Sequence, residues 1–216
     1  MTVHVPIPDY AAARRAMVDS QLRPQGVTDR PTLQAMGEAP REAFVPESSR
    51  PLAYVDRSIP LGHGRFLSSP AALGQLLTQM APQPGEQALV VGAGTGYSAA
   101  VLASIGCNVV ALESEPELSA RARELGLRTV EGSLAAGHKA GAPYDLILVD
   151  GAVEYVPDAI VKQLAERGRL GAALMERGVT RLIVGRKIGG AFGYLSVADS
   201  GVAPLPGFER PRSFTF

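Results

Sequence analysis

Cysteine is almost missing from this sequence, and neither sign of charge exceeds the other. With Cys107 alone among 216 residues, no disulfide can close within the chain. Lys plus Arg and Asp plus Glu number 21 each, for a formal net charge of zero. That balance offers no basic excess to hold a phosphate backbone, so no nucleic-acid partner is expected beyond a local basic patch. His4, His63, His138 and Cys107 are scattered without the spacing of metal ligands, so no metal site is expected. No apolar run approaches the roughly 20 residues that span a bilayer. No basic segment leads into an apolar one near the N-terminus, so no secretory leader is expected. These absences point to a cytoplasmic protein with no membrane partner, and they leave the oligomeric state open. Against them stands a composition that is 46% hydrophobic, enough for one large domain or one domain with a small N-terminal lobe.

Two helical patterns open the chain. Ala13, Ala16, Met17 and Leu22 recur at helical spacing behind Asp9 as a cap, and Pro24 and Gly26 close that helix. Thr28 is the expected cap of a second helix over residues 29–37. Residues 44–69, rich in Pro and Gly, read as an irregular covering segment. Ser69 followed by Pro70 then starts a helix through Met80 with Leu73, Leu76, Leu77 and Met80 on one face. From residue 87 strands and helices alternate. Strands are expected at 87–91, 108–112, 129–130, 145–149 and 169–175, and helices at 97–105, 116–125 and 156–166. Most of these strands are continuous apolar runs, which implies a parallel sheet covered on both faces, a doubly wound α/β fold. Residues 180–186 and 192–198 lie too close for a crossover helix and read as a C-terminal antiparallel hairpin, making a mostly parallel, seven-stranded sheet. Residues 207–216 read as an ordered tail, because Phe208, Phe214 and Phe216 favour burial.

The strongest local signal is Gly92-Ala93-Gly94-Thr95-Gly96, between a strand and a helix. Glycine permits positive φ and a close ligand approach, and the helix N-terminus offers free amides. Glu113 ends the next strand, where a carboxylate can accept hydrogen bonds from both ribose hydroxyls. A dinucleotide loop has glycine at its first, third and sixth positions. Here the third glycine falls at the fifth position and Tyr97 takes the sixth, the form found in methyltransferases. S-adenosylmethionine is therefore the expected cofactor, with NAD as the alternative.

Further motifs resemble the protein-L-isoaspartate O-methyltransferase family in order along residues 15–175. They include Met17-Val18, Gln21-Leu22, Pro40-Arg41-Glu42, Phe44-Val45-Pro46, Tyr54-Val55-Asp56 and Ile59-Pro60-Leu61-Gly62. The helix from Gly96-Tyr97-Ser98 and the segment Ala142-Pro143-Tyr144-Asp145 continue the likeness. The resemblance implies a Rossmann-like methyltransferase fold. It implies transfer of a methyl group from S-adenosylmethionine to an isoaspartyl carboxylate in damaged proteins or peptides. It also implies a lobe over residues 1–69 that carries the acceptor-side loop, and a cofactor domain over 70–216. Alignment of Gly64-Arg65-Phe66-Leu67-Ser68-Ser69-Pro70 with the family's loop makes Ser68 the expected catalytic-side residue, orienting the acceptor; a plain helix-start serine is the alternative. Cofactor contacts are expected from Gly92, Ala93, Gly94, Thr95, Gly96, Glu113, Ser133, Leu134 and Asp150.

The pattern is not complete. Arg65 stands for the family's glutamine and Phe66 for its threonine, which brings a ring and a cation to the acceptor side. Ser133 stands for an aspartate placed to contact the adenine amino group. These departures keep open another carboxylate acceptor, or a binding module whose acceptor site Phe66 fills. Among other residues, Asp56 is expected to pin the lobe through hydrogen bonds. His63 is expected as a partly exposed loop residue, with a base as the alternative; Glu154-Tyr155 at the surface, with the lining of the acceptor cleft as the alternative; and Cys107 as a small buried residue. Asp150 either faces the cofactor's amino group or caps the turn after it.

Overall fold

The computed structural model describes residues 9–210. His4 and the expected burial of Phe214 and Phe216 lie outside that range. Helix α1 (Tyr10–Met17) is capped by Asp9, whose carboxylate accepts the amide of Ala12 at 2.9 Å. It runs on into a π-helical turn, Val18–Leu22. Helix α2 (Arg30–Glu38) is capped by Asp29, which accepts the amide of Thr32 at 2.9 Å, and not by Thr28. A carboxylate both satisfies a free amide and complements the positive end of the helix.

Residues 44–69 correct the expectation of an irregular segment. Strands β1 (Ile59–Gly62) and β2 (Arg65–Leu67) form a small antiparallel hairpin, Ile59 opposite Leu67 and Pro60 opposite Phe66. Its turn holds three consecutive residues at positive φ, Gly62, His63 and Gly64. Ile59, Leu61, Arg65 and Leu67 face inward, whereas Pro60 and Phe66 face out. Proline is tolerated here because this is a two-stranded ribbon with free edges.

The remainder is a seven-stranded sheet with helices around it. Its elements are α3 (Pro70–Met80), β3 (Gln87–Val91), α4 (Tyr97–Ile105), β4 (Asn108–Glu113), α5 (Pro116–Glu124), β5 (Thr129–Glu131), β6 (Tyr144–Val153), α6 (Asp158–Val161), β7 (Leu164–Glu176), β8 (Val179–Ile188) and β9 (Ala191–Asp199). The strand order is β5-β4-β3-β6-β7-β8-β9. The first five pair in parallel; β8 and β9 each pair antiparallel to the strand before. This is the doubly wound α/β sheet with a C-terminal hairpin. The expected helix over 156–166 shrinks to α6, because Leu164 already pairs with Tyr144 in the sheet. Cross-strand pairing there overrides a local helical pattern.

Alternate residues of the central strands enter different cores. Ala88, Val90, Ala111, Leu146 and Leu148 pack with the N-terminal lobe, α3 and α4. Leu89, Val91, Val110, Leu112, Ile147 and Val149 pack on the other face with Ile160, Leu205 and Phe208. Burial of both faces is why these strands read as unbroken apolar runs. Phe208 is buried, as expected. Asp56 pins the lobe, accepting the amide of Ala71 at 3.0 Å and Gln25 Nε2 at 2.7 Å.

Candidate functional site

The chain winds from β3 outward through β4 to β5 and then returns to β6 on the other side of β3, so the C-terminal ends of β3 and β6 flank a crevice of the kind where open α/β sheets bind ligands. Register brings the expected residues together there. Val91 pairs with both Leu112 and Val149, so Gly92, Glu113 and Asp150 emerge side by side from adjacent strands. Gly92, Gly94 and Gly96 all have positive φ, at 75°, 55° and 97°. A side chain at these positions is strained whatever the space around it.

Glu113 is the hub of the crevice and is fully buried. Its Oε2 accepts the amide of Gly94 at 2.8 Å. Its Oε1 accepts the amides of Ser114 and Glu115 at 2.7 and 3.1 Å and Arg65 Nε at 3.0 Å. Arg65, itself buried, also donates through Nη2 to Ser114 Oγ at 2.6 Å. The inward cation was a residue of interest in the sequence; its partner was not legible there. A two-residue strand period carries Arg65 inward and Phe66 outward, with Phe66 37% exposed. Phe66 therefore turns away from the hairpin's buried face, opposite to Arg65.

Asp150 is the second buried carboxylate. It accepts Ser68 Oγ at 2.7 Å and the hydroxyl of Ser98. Burial pushes the Asp150 carboxyl above the usual carboxylate range, and the two serine hydrogen bonds and the positive Arg41 oppose that shift. Arg41 holds the loop from behind. Its Nη2 donates to the carbonyl of Ser68 at 2.6 Å and its Nε to the carbonyl of Ala53 at 2.7 Å. The guanidinium also lies 4.7 Å from the centre of the Tyr97 ring. Sequence reasoning met Arg41 and Ser98 only within motifs, because neither has a partner nearby in the chain.

The other expected contacts scatter. Ala93 is buried in the loop, and its amide donates to the carbonyl of Leu112. Thr95 turns away to the lobe, donating to the carbonyl of Phe44. Ser133 is exposed at the start of a 3-10 turn, and Leu134 is buried in the second core. His63 is surface-exposed beside Glu117, and Cys107 is buried with its thiol pushed up to about 11 by burial. Glu154 binds the segment after β9, accepting the amide of Arg210 at 2.7 Å. Among the described residues no cluster of His, Cys, Asp and Glu suits a metal, and no helix is long and apolar enough to cross a membrane.

The donors and acceptors of the crevice match a nucleoside cofactor in kind, but its space is taken by the chain's own side chains. An added Cβ on Gly92 would lie 2.7 Å from Leu205 Cδ1, and one on Gly94 2.8 Å from Leu61 Cδ1. The cavity beside Ser68, Asp150 and Gly151 measures about 10 Å³, room for at most one water. Small-molecule sites usually measure about 300–1,000 Å³. Leu205 and Leu61 thus lie against the glycine turn, and Arg65 lies against Glu113.

Comparison with known proteins matches residues 13–194 to the family model described as Protein-L-isoaspartate(D-aspartate) O-methyltransferase. A protein-L-isoaspartate O-methyltransferase of Methylorubrum extorquens (strain PA1) is 44% identical over 172 residues, covering 76% of this chain and 75% of that one. Another, from Marinobacter nauticus, is 36% identical over 212 residues, covering 93% and 96%. Among solved structures, a protein-L-isoaspartate O-methyltransferase from Plasmodium falciparum in complex with S-adenosyl-L-homocysteine superposes with a TM-score of 0.77 at 19% identity, over 92% of this chain and 99% of that one. At that identity the superposition speaks for the fold.

Proposed function

The chain belongs to the protein-L-isoaspartate(D-aspartate) O-methyltransferase family, and from that premise we propose that it methylates the free carboxylate of isoaspartyl residues in proteins or peptides. The observation that carries this reading is the family match over residues 13–194, within which both buried acids of the crevice and the loop serine fall. S-adenosylmethionine supplies the electrophilic methyl group, bound to a sulfonium that leaves as a neutral thioether.

The chain's own residues have little acid–base work to do. A carboxylate is already a nucleophile, so alignment and exclusion of water supply the rate. Glu113 is the anchor we assign to the ribose, with Gly92, Ala93, Gly94, Thr95 and Gly96 forming the close-approach turn. Asp150 is assigned to the positively charged amino group, and Ser133 and Leu134 to the base. Ser68 is assigned to hold the acceptor carboxylate through its hydroxyl, with Arg41 as the positioning residue behind it. The division into an acceptor-side lobe at 1–69 and a cofactor domain at 70–216 belongs to the same reading.

A second reading, another carboxylate acceptor or a binding module without turnover, is favoured by one observation. Arg65 and Ser133 stand where the family loop and the adenine contact carry other residues, and Arg65 engages Glu113. Labelled methyl donor offered with an isoaspartyl peptide and with its aspartyl twin separates the readings. Label on the isoaspartyl peptide alone is expected. Label on neither, beside intact donor binding, favours the second reading.

A further inference from the structure

The groups that the crevice would present to a nucleoside are engaged by one short element and by Leu205. Leu61 lies over Gly94, Arg65 binds Glu113, and Ser68, the residue after β2, binds Asp150. At the hairpin tip His63 Nε2 stands 3.0 Å from Glu117 Oε2 and Nδ1 stands 3.7 Å from Glu115 Oε2. Arg65 Nη2 lies 4.0 Å from Glu115. A hairpin carrying His63 and Arg65 thus rests on three acids, Glu113, Glu115 and Glu117.

We propose that the β1–β2 hairpin is a latch over the cofactor crevice and that Arg65 is a built-in competitor for Glu113, so that a nucleoside binds only after the hairpin lifts. This rests on the function proposed above. Glu113 already accepts three amides and a guanidinium without any solvent exposure. Its Oε1 is fully engaged and its Oε2 already takes the Gly94 amide, so two ribose hydroxyls do not both fit on that carboxylate while Arg65 stays. The hairpin pairs only with itself and not with the seven-stranded sheet. Lifting it therefore breaks the core contacts of Ile59, Leu61 and Leu67 but no hydrogen bond of the sheet. In the exchange two neutral hydroxyls replace the guanidinium at Glu113, which keeps its three amide donors, and Arg65 regains water. A closed resting state lowers apparent affinity by the fraction of molecules that are open.

Calorimetric titration of S-adenosylhomocysteine into the full chain tests this, with Arg65→Gln and Arg65→Lys beside the parent. Arg65→Gln is expected to bind about tenfold or more tighter than the parent, with Arg65→Lys between them. Equal, measurable affinity in all three overturns the latch and leaves the proposed function standing. No binding by any of them overturns both. Should the variants fold poorly, amide exchange across residues 59–67 of the parent serves instead. Saturating S-adenosylhomocysteine is expected to change the exchange of these amides, and exchange that is identical with and without bound ligand overturns the latch.

Discussion

Removing the two partners of the buried Arg65–Glu113 pair one at a time should not cost the same. Without Arg65, Glu113 keeps the amides of Gly94, Ser114 and Glu115. Arg65→Ala therefore forfeits one charge-assisted hydrogen bond at Glu113, about 1.5–3 kcal/mol. Without Glu113, the buried amide of Gly94 and the half-buried amides of Ser114 and Glu115 lose their acceptor, and a guanidinium only 4% exposed loses its nearest anion, leaving Glu115 at 4.0 Å. Glu113→Ala should then cost about 3–5 kcal/mol, the usual penalty for stranding one member of a buried pair. In a chain of this size each kcal/mol moves Tm by about 2–4 °C. The expected losses are thus about 3–12 °C for Arg65→Ala and about 6–20 °C for Glu113→Ala. Urea denaturation followed by circular dichroism gives the free energies, and the double variant should lose less than the sum of the singles. An Arg65→Ala loss equal to or above the Glu113→Ala loss would refute the asymmetry, and strict additivity would refute the coupling of the pair.

Three further outcomes are expected. Ser68→Ala should lower kcat for methyl transfer while leaving S-adenosylhomocysteine affinity within about threefold, because its hydroxyl is assigned to the acceptor; unchanged turnover returns Ser68 to a structural role beside Asp150. Burial raises Asp150 above its unfolded value, so the folded chain holds the extra proton between the two values and stability falls as pH rises through that window. Asp150→Asn should gain on the parent in stability as pH rises above the unfolded carboxylate value of about 4, and parallel stability curves would contradict this. Asp56→Ala should cost about 1–2 kcal/mol, because it frees the amide of Ala71 at the first turn of α3 and releases Gln25; a loss below the scatter of the denaturation midpoint would contradict it.

Much of the sheet was legible because glycine and proline bound its elements. β3 and α4 begin and end at the residues expected, since Gly92–Gly96 separates an apolar run from a helix start. The crevice was legible for the same reason: Glu113, which ends β4, and Asp150, which follows the last pairing of β6 with β3, lie beside a turn that follows β3. What closes it was not. The β1–β2 hairpin has seven residues in its strands and carries Pro60, too few for a two-residue period to stand out from a loop. Without that strand, nothing in the sequence turns Arg65 inward and Phe66 out. Leu205 reaches Gly92 because the segment after β9 pairs with Ala152, a contact set by the tertiary fold alone. The helix expected at 156–166 was lost to β7 for a similar reason, since the pairing partner Tyr144 is remote in the chain.

A crystal structure grown with S-adenosylhomocysteine addresses the central claim most directly. The ribose hydroxyls are expected on the Glu113 carboxylate, with the Arg65 guanidinium moved off it and Leu61 lifted from Gly94. Ligand bound elsewhere, or ribose seated while Arg65 still holds Glu113, would contradict it.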